Sequence, residues 1–274
     1  MLKQSLSPMI RRKVSKPSHQ SMYIFYYKRG TKFAKEWDAN EVSFLRRLSH
    51  PNIINILGYY YDARERTKYM LLEHLIDGDL FDWLNNQPYS IPNDHQVHIA
   101  KQGLSVLRYL EKNEIIHRDI KLENFLVRPM KCGCIHIILI DFQYTVFTND
   151  LDSRICGTPA YIAPECYLGL YSYGSDMWAF GVMLYMIATR VHFPVIEYTG
   201  RNDTFKNTIC SIARVLRQYN SDFTDFLYSI FRCSEVLRLT PKDASKHPWI
   251  IKKPHGIHNR VLDRLKTRAR RDTI

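Results

Sequence analysis

The feature that most constrains this chain is a change of periodicity near residue 75. Ahead of it the sequence reads as strands. Ser21 to Lys28 is aromatic and β-branched, Ile53 to Tyr60 repeats that character, and Lys68 to Glu73 supplies a hairpin partner. One helical stretch interrupts them. From Glu36 to Leu48, the residues Trp37, Val42, Leu45 and Leu48 share a face, and His50-Pro51-Asn52 ends the run. Behind residue 75 the helical period takes over, in Leu80–Asn85, Asp94–Lys112, Ser175–Thr189, Thr204–Tyr219, Asp222–Arg232 and Pro241–Lys246. A single short apolar strand, Ile135–Ile140, lies among them. Strands and helices segregated in this way predict an α+β chain in two lobes, a small strand-rich one with one helix and a larger helical one, with a cleft between.

The 274 residues suit one such two-lobed domain with a well-buried core. The net charge of +12 belongs to the ends: residues 1–35 hold nine basic side chains and no acid, and residues 252–274 hold eight basic against two acidic, which leaves −3 for the body. The longest apolar run, Met177 to Ala188, is shorter than the roughly 20 residues of a membrane span. Lys3 is followed by no apolar core, so neither a secretory signal nor a membrane partner is expected. Six scattered cysteines offer only Cys132-Gly133-Cys134 as a close pair, with no second pair to complete a zinc site. Reduced thiols and an intracellular location, in cytoplasm, nucleus or both, are the expectation.

The chemistry-bearing residues fall in ordered blocks. His117-Arg118-Asp119-Ile120-Lys121-Leu122-Glu123-Asn124 comes first, then Asp141-Phe142-Gln143 after the apolar Ile137–Ile140. Gly157-Thr158-Pro159-Ala160-Tyr161-Ile162-Ala163-Pro164-Glu165, Asp176-Met177-Trp178-Ala179-Phe180-Gly181, Arg238 and His247-Pro248-Trp249 follow. Each block alone is a weak signal, and an acid in any of them is as well explained by a helix cap. The ordered set, spanning about residues 40 to 250, resembles the eukaryotic-type serine/threonine protein kinase family.

That resemblance implies a protein kinase domain over residues 1–251, with lobes at about 1–74 and about 76–251, and a basic tail at 252–274. It implies ATP and Mg²⁺ as cofactors, protein substrates, and transfer of the γ-phosphoryl group to a protein hydroxyl. Asp119 is the expected catalytic acceptor for the substrate hydroxyl, Lys121 neutralises the moving phosphate, and Asn124 and Asp141 hold the metal. Lys28 and Glu41 form the expected pair at the α- and β-phosphates, with Lys32 and Lys35 as alternatives to Lys28. The adenine is expected against the backbone of Glu73-His74-Leu75, with Leu72 gating the back pocket, Val14 above the ring, Leu126 beneath it and Asp79 at the ribose. Thr158 is expected to bond Asp119 and Lys121, and Arg238 to pair with Glu165. Leu45, Ile56, His117 and Phe142 match side chains that stack across the lobes.

The front departs from the family pattern. No glycine precedes Gly30, so Ser7, Met9 and Arg12 stand where a glycine-rich phosphate cover is expected. Tyr26 replaces a small residue, Gln143 replaces a glycine, and Arg154 stands at the position of an activating phosphothreonine, leaving the partner of Arg118 open between Ser153, Thr148 and none. These departures keep a second reading in view: a pseudokinase acting as a binding or scaffold module. The tail from Arg260 to Arg271 suits an acidic partner or an import receptor, and its plainer reading is a solvated tail; nucleic acid is not the expected partner.

Overall fold

The computed structural model describes residues 10–14, 22–27, 40–62, 67–73, 77–131, 133–196 and 202–252. Its front sheet has four antiparallel strands, β1 (Ile10–Val14), β2 (Met22–Tyr27), β3 (Ile56–Asp62) and β4 (Thr67–Leu72), in the order β1-β2-β4-β3. The reading above contains no β1: three consecutive basic residues, Arg11 to Lys13, break any apolar alternation. Among the described strands β1 lies at the edge of the sheet. Residues 40–45 are helical (α1) and bury Glu41, Phe44 and Leu45 against the rest of the molecule.

The rear lobe is organised by α4 (Tyr173–Thr189), in which every residue from Ser175 to Ala188 is buried. A helix that is apolar all round belongs in the middle of a core. Its start is fixed by reciprocal capping: Ser172 Oγ accepts from Gly174 N at 3.1 Å, and Ser175 Oγ accepts from Ser172 N at 3.1 Å. The long amphipathic α3 (Asn93–Lys112) lies against it, closely enough that a Cβ on Gly103 would fall within the ring of Phe180. Around this pair sit α2 (Leu80–Asn85), α5 (Asn202–Leu216), α6 (Ser221–Ile230), α7 (Pro241–Ala244) and α8 (Pro248–Ile251). Trp178 of α4 packs edge-on to Phe193 and Phe231, at ring separations of 6.2 and 5.0 Å.

Two small antiparallel ribbons face the front lobe. In one, β5 (Ile115–Ile116) pairs with β8 (Val146–Phe147); in the other, β6 (Phe125–Pro129) pairs with β7 (Ile135–Leu139). The β6–β7 register sets Phe125 opposite Leu139, and the ladder extends one step to Ile140 N donating to Asn124 O at 2.9 Å. Asn124 and Asp141 are thereby brought to the same end of one ribbon. The ribbon is tied forward as well: Leu139 N donates to Asn52 O, and Ile54 N to Leu139 O.

Candidate active site

The loop from β5 to β6 carries His117 to Asn124, and a buried carboxylate beneath it sets its shape. Asp176, in the first turn of α4, accepts from His117 N at 2.8 Å and from Arg118 N at 3.0 Å. Two backbone donors that the irregular loop leaves unpaired are satisfied there. Burial raises the pKa of Asp176 to about 6, its two backbone bonds and Arg118 working in the other direction. Arg118 itself adopts φ 67°, a left-handed conformation that side-chain-bearing residues occupy at a cost. Burial holds His117 at a pKa of about 4, so its ring is neutral and packs edge-on against Phe142 at 4.9 Å.

Asp119 stands at the centre of the loop with its carboxylate held on both oxygens. Thr158 Oγ1 donates to Oδ1 at 2.9 Å, while Lys121 Nζ and Asn124 Nδ2 donate to Oδ2 at 2.7 and 3.0 Å. Lys121 also donates to Thr158 Oγ1 at 2.9 Å, closing a triangle. Asn124 spends its amide nitrogen a second time on Asp119 O, at 2.8 Å, which turns the amide oxygen away from the aspartate. Gly157 makes this possible, since at its φ of 96° a Cβ would meet Arg118 O at 2.7 Å.

Asp141 is half-buried and poorly partnered: its hydrogen bonds among the described residues come from Gln143 N and Nε2, both at 3.5 Å. Burial, and then the charge of Asp119, raise its pKa. A desolvated carboxylate of this kind beside a free amide oxygen suits a hard divalent cation that takes its remaining ligands from phosphates. Among the described residues there is no cluster of three or more His, Cys, Asp or Glu side chains to hold a metal by protein groups alone. Gln143, which stands in place of a glycine, is not among the positive-φ residues; the left-handed residue here is Asp141, at φ 66°.

The remaining expected residues divide. Glu41 reaches the same segment, accepting from Phe142 N at 3.2 Å. Lys28 and Leu75 lie outside the described residues, as do Lys32 and Lys35; Val14 is placed at the end of β1, opposite Met22. Glu73 N donates to Asn55 O, and its side chain accepts from Asn55 and ion-pairs with Arg128 at 3.2 Å. Asp79 caps α2, accepting from Asp82 N at 2.8 Å, and bridges to Leu126 of β6, so the two sit side by side. Glu165 and Arg238 meet as expected, at 2.5 and 3.0 Å.

Sequence reasoning missed three residues. Asp152 accepts from Arg118 Nη1 at 3.1 Å and pairs with Arg154, a carboxylate where the sequence pointed to the hydroxyls of Ser153 or Thr148. Asn40 donates to Thr145 O at 2.9 Å. The Tyr171 hydroxyl brackets Cys156, accepting from its N and donating to its O, both at 2.8 Å. The only hint in the sequence was an acid two residues before Arg154. A separate open cleft of about 1170 Å³, edged by Lys101, Arg108, Lys112 and Lys242, lies on the outer face of α3 and holds none of the motif residues.

The protein kinase domain family matches residues 17–250, and the chain belongs to that family. It is 32% identical over 225 residues to calcium-dependent protein kinase 3 of Plasmodium yoelii yoelii, covering 78% of this chain and 40% of that protein. It is 31% identical over 218 residues to an Aurora kinase of Candida glabrata, covering 77% and 58%. To the human CaM kinase-like vesicle-associated protein it is 29% identical over 237 residues, covering 82% and 46%. The chain thus spans about 40–60% of the length of these curated relatives. The family is one of protein kinases, whose general chemistry is transfer of phosphate from ATP, with a divalent metal, to protein. Among the described residues no helix is long and apolar enough to cross a membrane.

Proposed function

We propose that this chain is a serine/threonine protein kinase that uses ATP with Mg²⁺. The observation that carries the reading is the triangle of Asp119, Lys121 and Thr158, which leaves one aspartate held rigidly between a cation and a hydroxyl. Asp119 accepts the hydrogen of the incoming serine or threonine hydroxyl and aims its oxygen. As that oxygen bonds to the γ-phosphorus, the bond from phosphorus to the ADP oxygen breaks, and Lys121 offsets charge gathering on the transferred group. Asn124 and Asp141 would hold the divalent cation, whose chemistry would be to neutralise charge on the phosphates. Glu41 faces the site from the front lobe through Phe142 N, with Lys28 its proposed partner. Glu73, Leu75, Asp79, Leu126 and Val14 line the proposed nucleoside position. Positioning and electrostatics supply the rate, since the reaction asks little covalent chemistry of the protein.

Labelled ATP and Mg²⁺ with a panel of basic and acidic proteins test this, with Asp119→Ala beside the unaltered chain. Transfer that falls by about 10² to 10⁴ in the variant supports the enzyme. Identical background in both, with a substrate that another kinase phosphorylates, establishes the scaffold alternative instead. We further propose an intracellular site of action, with the domain spanning residues 1–251 and the basic tail at 252–274 serving an acidic partner or import receptor. Replacing Arg268, Arg270 and Arg271 with serine and following the location of the full chain checks the tail.

A further inference from the structure

The segment from Asp141 to Thr145 is gripped from two sides. On the rear-lobe side, Arg118 Nε donates to Tyr144 O at 2.6 Å. On the front side, Asn40 Nδ2 donates to the next carbonyl, Thr145 O, at 2.9 Å. The neighbouring residue of α1, Glu41, takes Phe142 N. Asn40 and Glu41 thus fasten the segment that carries Asp141 to α1, while Arg118 fastens it to the rear lobe.

Arg118 needs a counter-charge to do this. Only 3% of its side chain is exposed, and a guanidinium so far from water is costly unless paired. The partner is Asp152, at 3.1 Å, with the Tyr171 ring 5.5 Å away on another side. Asp152 in turn folds its own stretch, accepting from Arg154 N at 3.1 Å and from its guanidinium at 2.6 and 3.0 Å. That stretch is seated on the protein by two further contacts. Gly169, at φ 73°, lets Ser153 approach so closely that a Cβ would lie 2.8 Å from Ser153 O, and Tyr171 brackets Cys156. Every charge and backbone group used here comes from the chain itself.

We propose that Asn40 and Asp152 are positioning residues of the phosphoryl-transfer site, a two-sided clamp on the Tyr144 and Thr145 carbonyls in which Asp152 supplies the negative charge Arg118 requires, so that the site is assembled with no phosphate on residues 148–155. The proposal rests on the kinase reading above. It predicts that Asp152→Asn removes the charge while keeping the shape, and that Asp152→Glu restores it. Asn40→Asp, of the same size, swaps a donor for a carboxylate against Thr145 O.

The test uses the full chain after phosphatase treatment. The unaltered protein should keep its activity within about twofold. Asp152→Asn and Asn40→Asp should each lower kcat about tenfold or more, as expected for a lost charge-assisted or buried hydrogen bond, with KM for ATP moving less than kcat. Asp152→Glu should recover most of the loss, and the double variant should lose less than the product, because both act on one segment. Amide exchange at residues 142–156 should quicken in both single variants, a readout that needs no catalysis. Should the unaltered chain transfer no phosphate while exchange still quickens as described, the kinase reading fails and the clamp stands. A drop beyond tenfold on phosphatase treatment, or variants with unchanged kcat and exchange, overturns the clamp. If Asp152→Asn does not fold, Asn40→Asp and Asp152→Glu carry the same comparison.

Discussion

The anchor beneath the catalytic loop and the aspartate cluster above it use the same residue types to opposite ends. In the anchor, Asp176 meets two backbone N–H groups at 2.8 and 3.0 Å, and Glu165 meets Arg238 on both oxygens. Arg238 goes on to reach Gly174 O and Arg232 O, with the Trp178 ring 5.2 Å from its guanidinium carbon. These charges are buried and fully spent inside the protein. In the cluster, Asp141 is largely desolvated yet less buried than Asp176, and its hydrogen bonds among the described residues are 3.5 Å contacts from Gln143, while Asp119 is buried with Thr158, Lys121 and Asn124 donating to its carboxylate. A protein leaves a buried acid under-partnered where something else is to complete it. The anchor charges hold shape, while Asp141 keeps acceptor capacity to spare for chemistry beside a firmly held Asp119.

Breaking each side in turn should separate rate from stability. The largest effect is expected for Asp119→Ala: a fall of about 10² to 10⁴ in phosphoryl transfer, with a melting temperature that moves less than in any anchor variant. The reverse is expected for Arg238→Ala. It strands Glu165 with no counter-charge and should cost about 3–5 kcal/mol in denaturant unfolding, with activity lost only in proportion to the unfolded fraction. If Asp119→Ala unfolded the protein as readily as Arg238→Ala, the distinction between spent and unspent charge would be wrong.

A third variant sharpens the comparison within the rear lobe. Gly103→Ala places a methyl where the Phe180 ring lies and should destabilise by about 1–3 kcal/mol, a loss that Phe180→Leu in the same chain partly relieves. Nothing in the local sequence marks Gly103 as indispensable; a glycine inside a helical run reads as a weakness. The requirement arises from another helix. The same limit runs through the whole reading. The period change near residue 75 and the blocks around Asp119, Asp141 and Glu165 were legible because they depend on neighbours in sequence. The apolar run of α4 was legible only as too short for a membrane span, and its central place is a finding of the structure. The grip of Asp152 on Arg118 spans 34 residues and exists only once the rear lobe has folded, and that of Asn40 on Thr145 spans 105 and exists only once the two lobes meet. Strand β1 was missed for a different reason: Arg11 to Lys13 interrupt the apolar alternation by which a strand is read.

The smallest effect is expected at Asp152, which belongs to neither group: it is paired like an anchor and yet a third of its side chain is exposed. Arg154, then Arg118, hold its pKa at about 2, below the ordinary 3.8. A carboxylate whose pKa is depressed on folding stabilises above its unfolded value and ceases to do so as pH falls through its folded value. The difference in melting temperature between the unaltered chain and Asp152→Asn should therefore be constant above about pH 5. It should shrink between about pH 4 and pH 2. Added salt should narrow it at neutral pH through the exposed Arg154 contact, while the part carried by buried Arg118 persists. A gap that salt erases completely would assign Asp152 to surface charge alone; a remnant that acid removes and salt does not would locate it in the same buried network that shapes the catalytic loop.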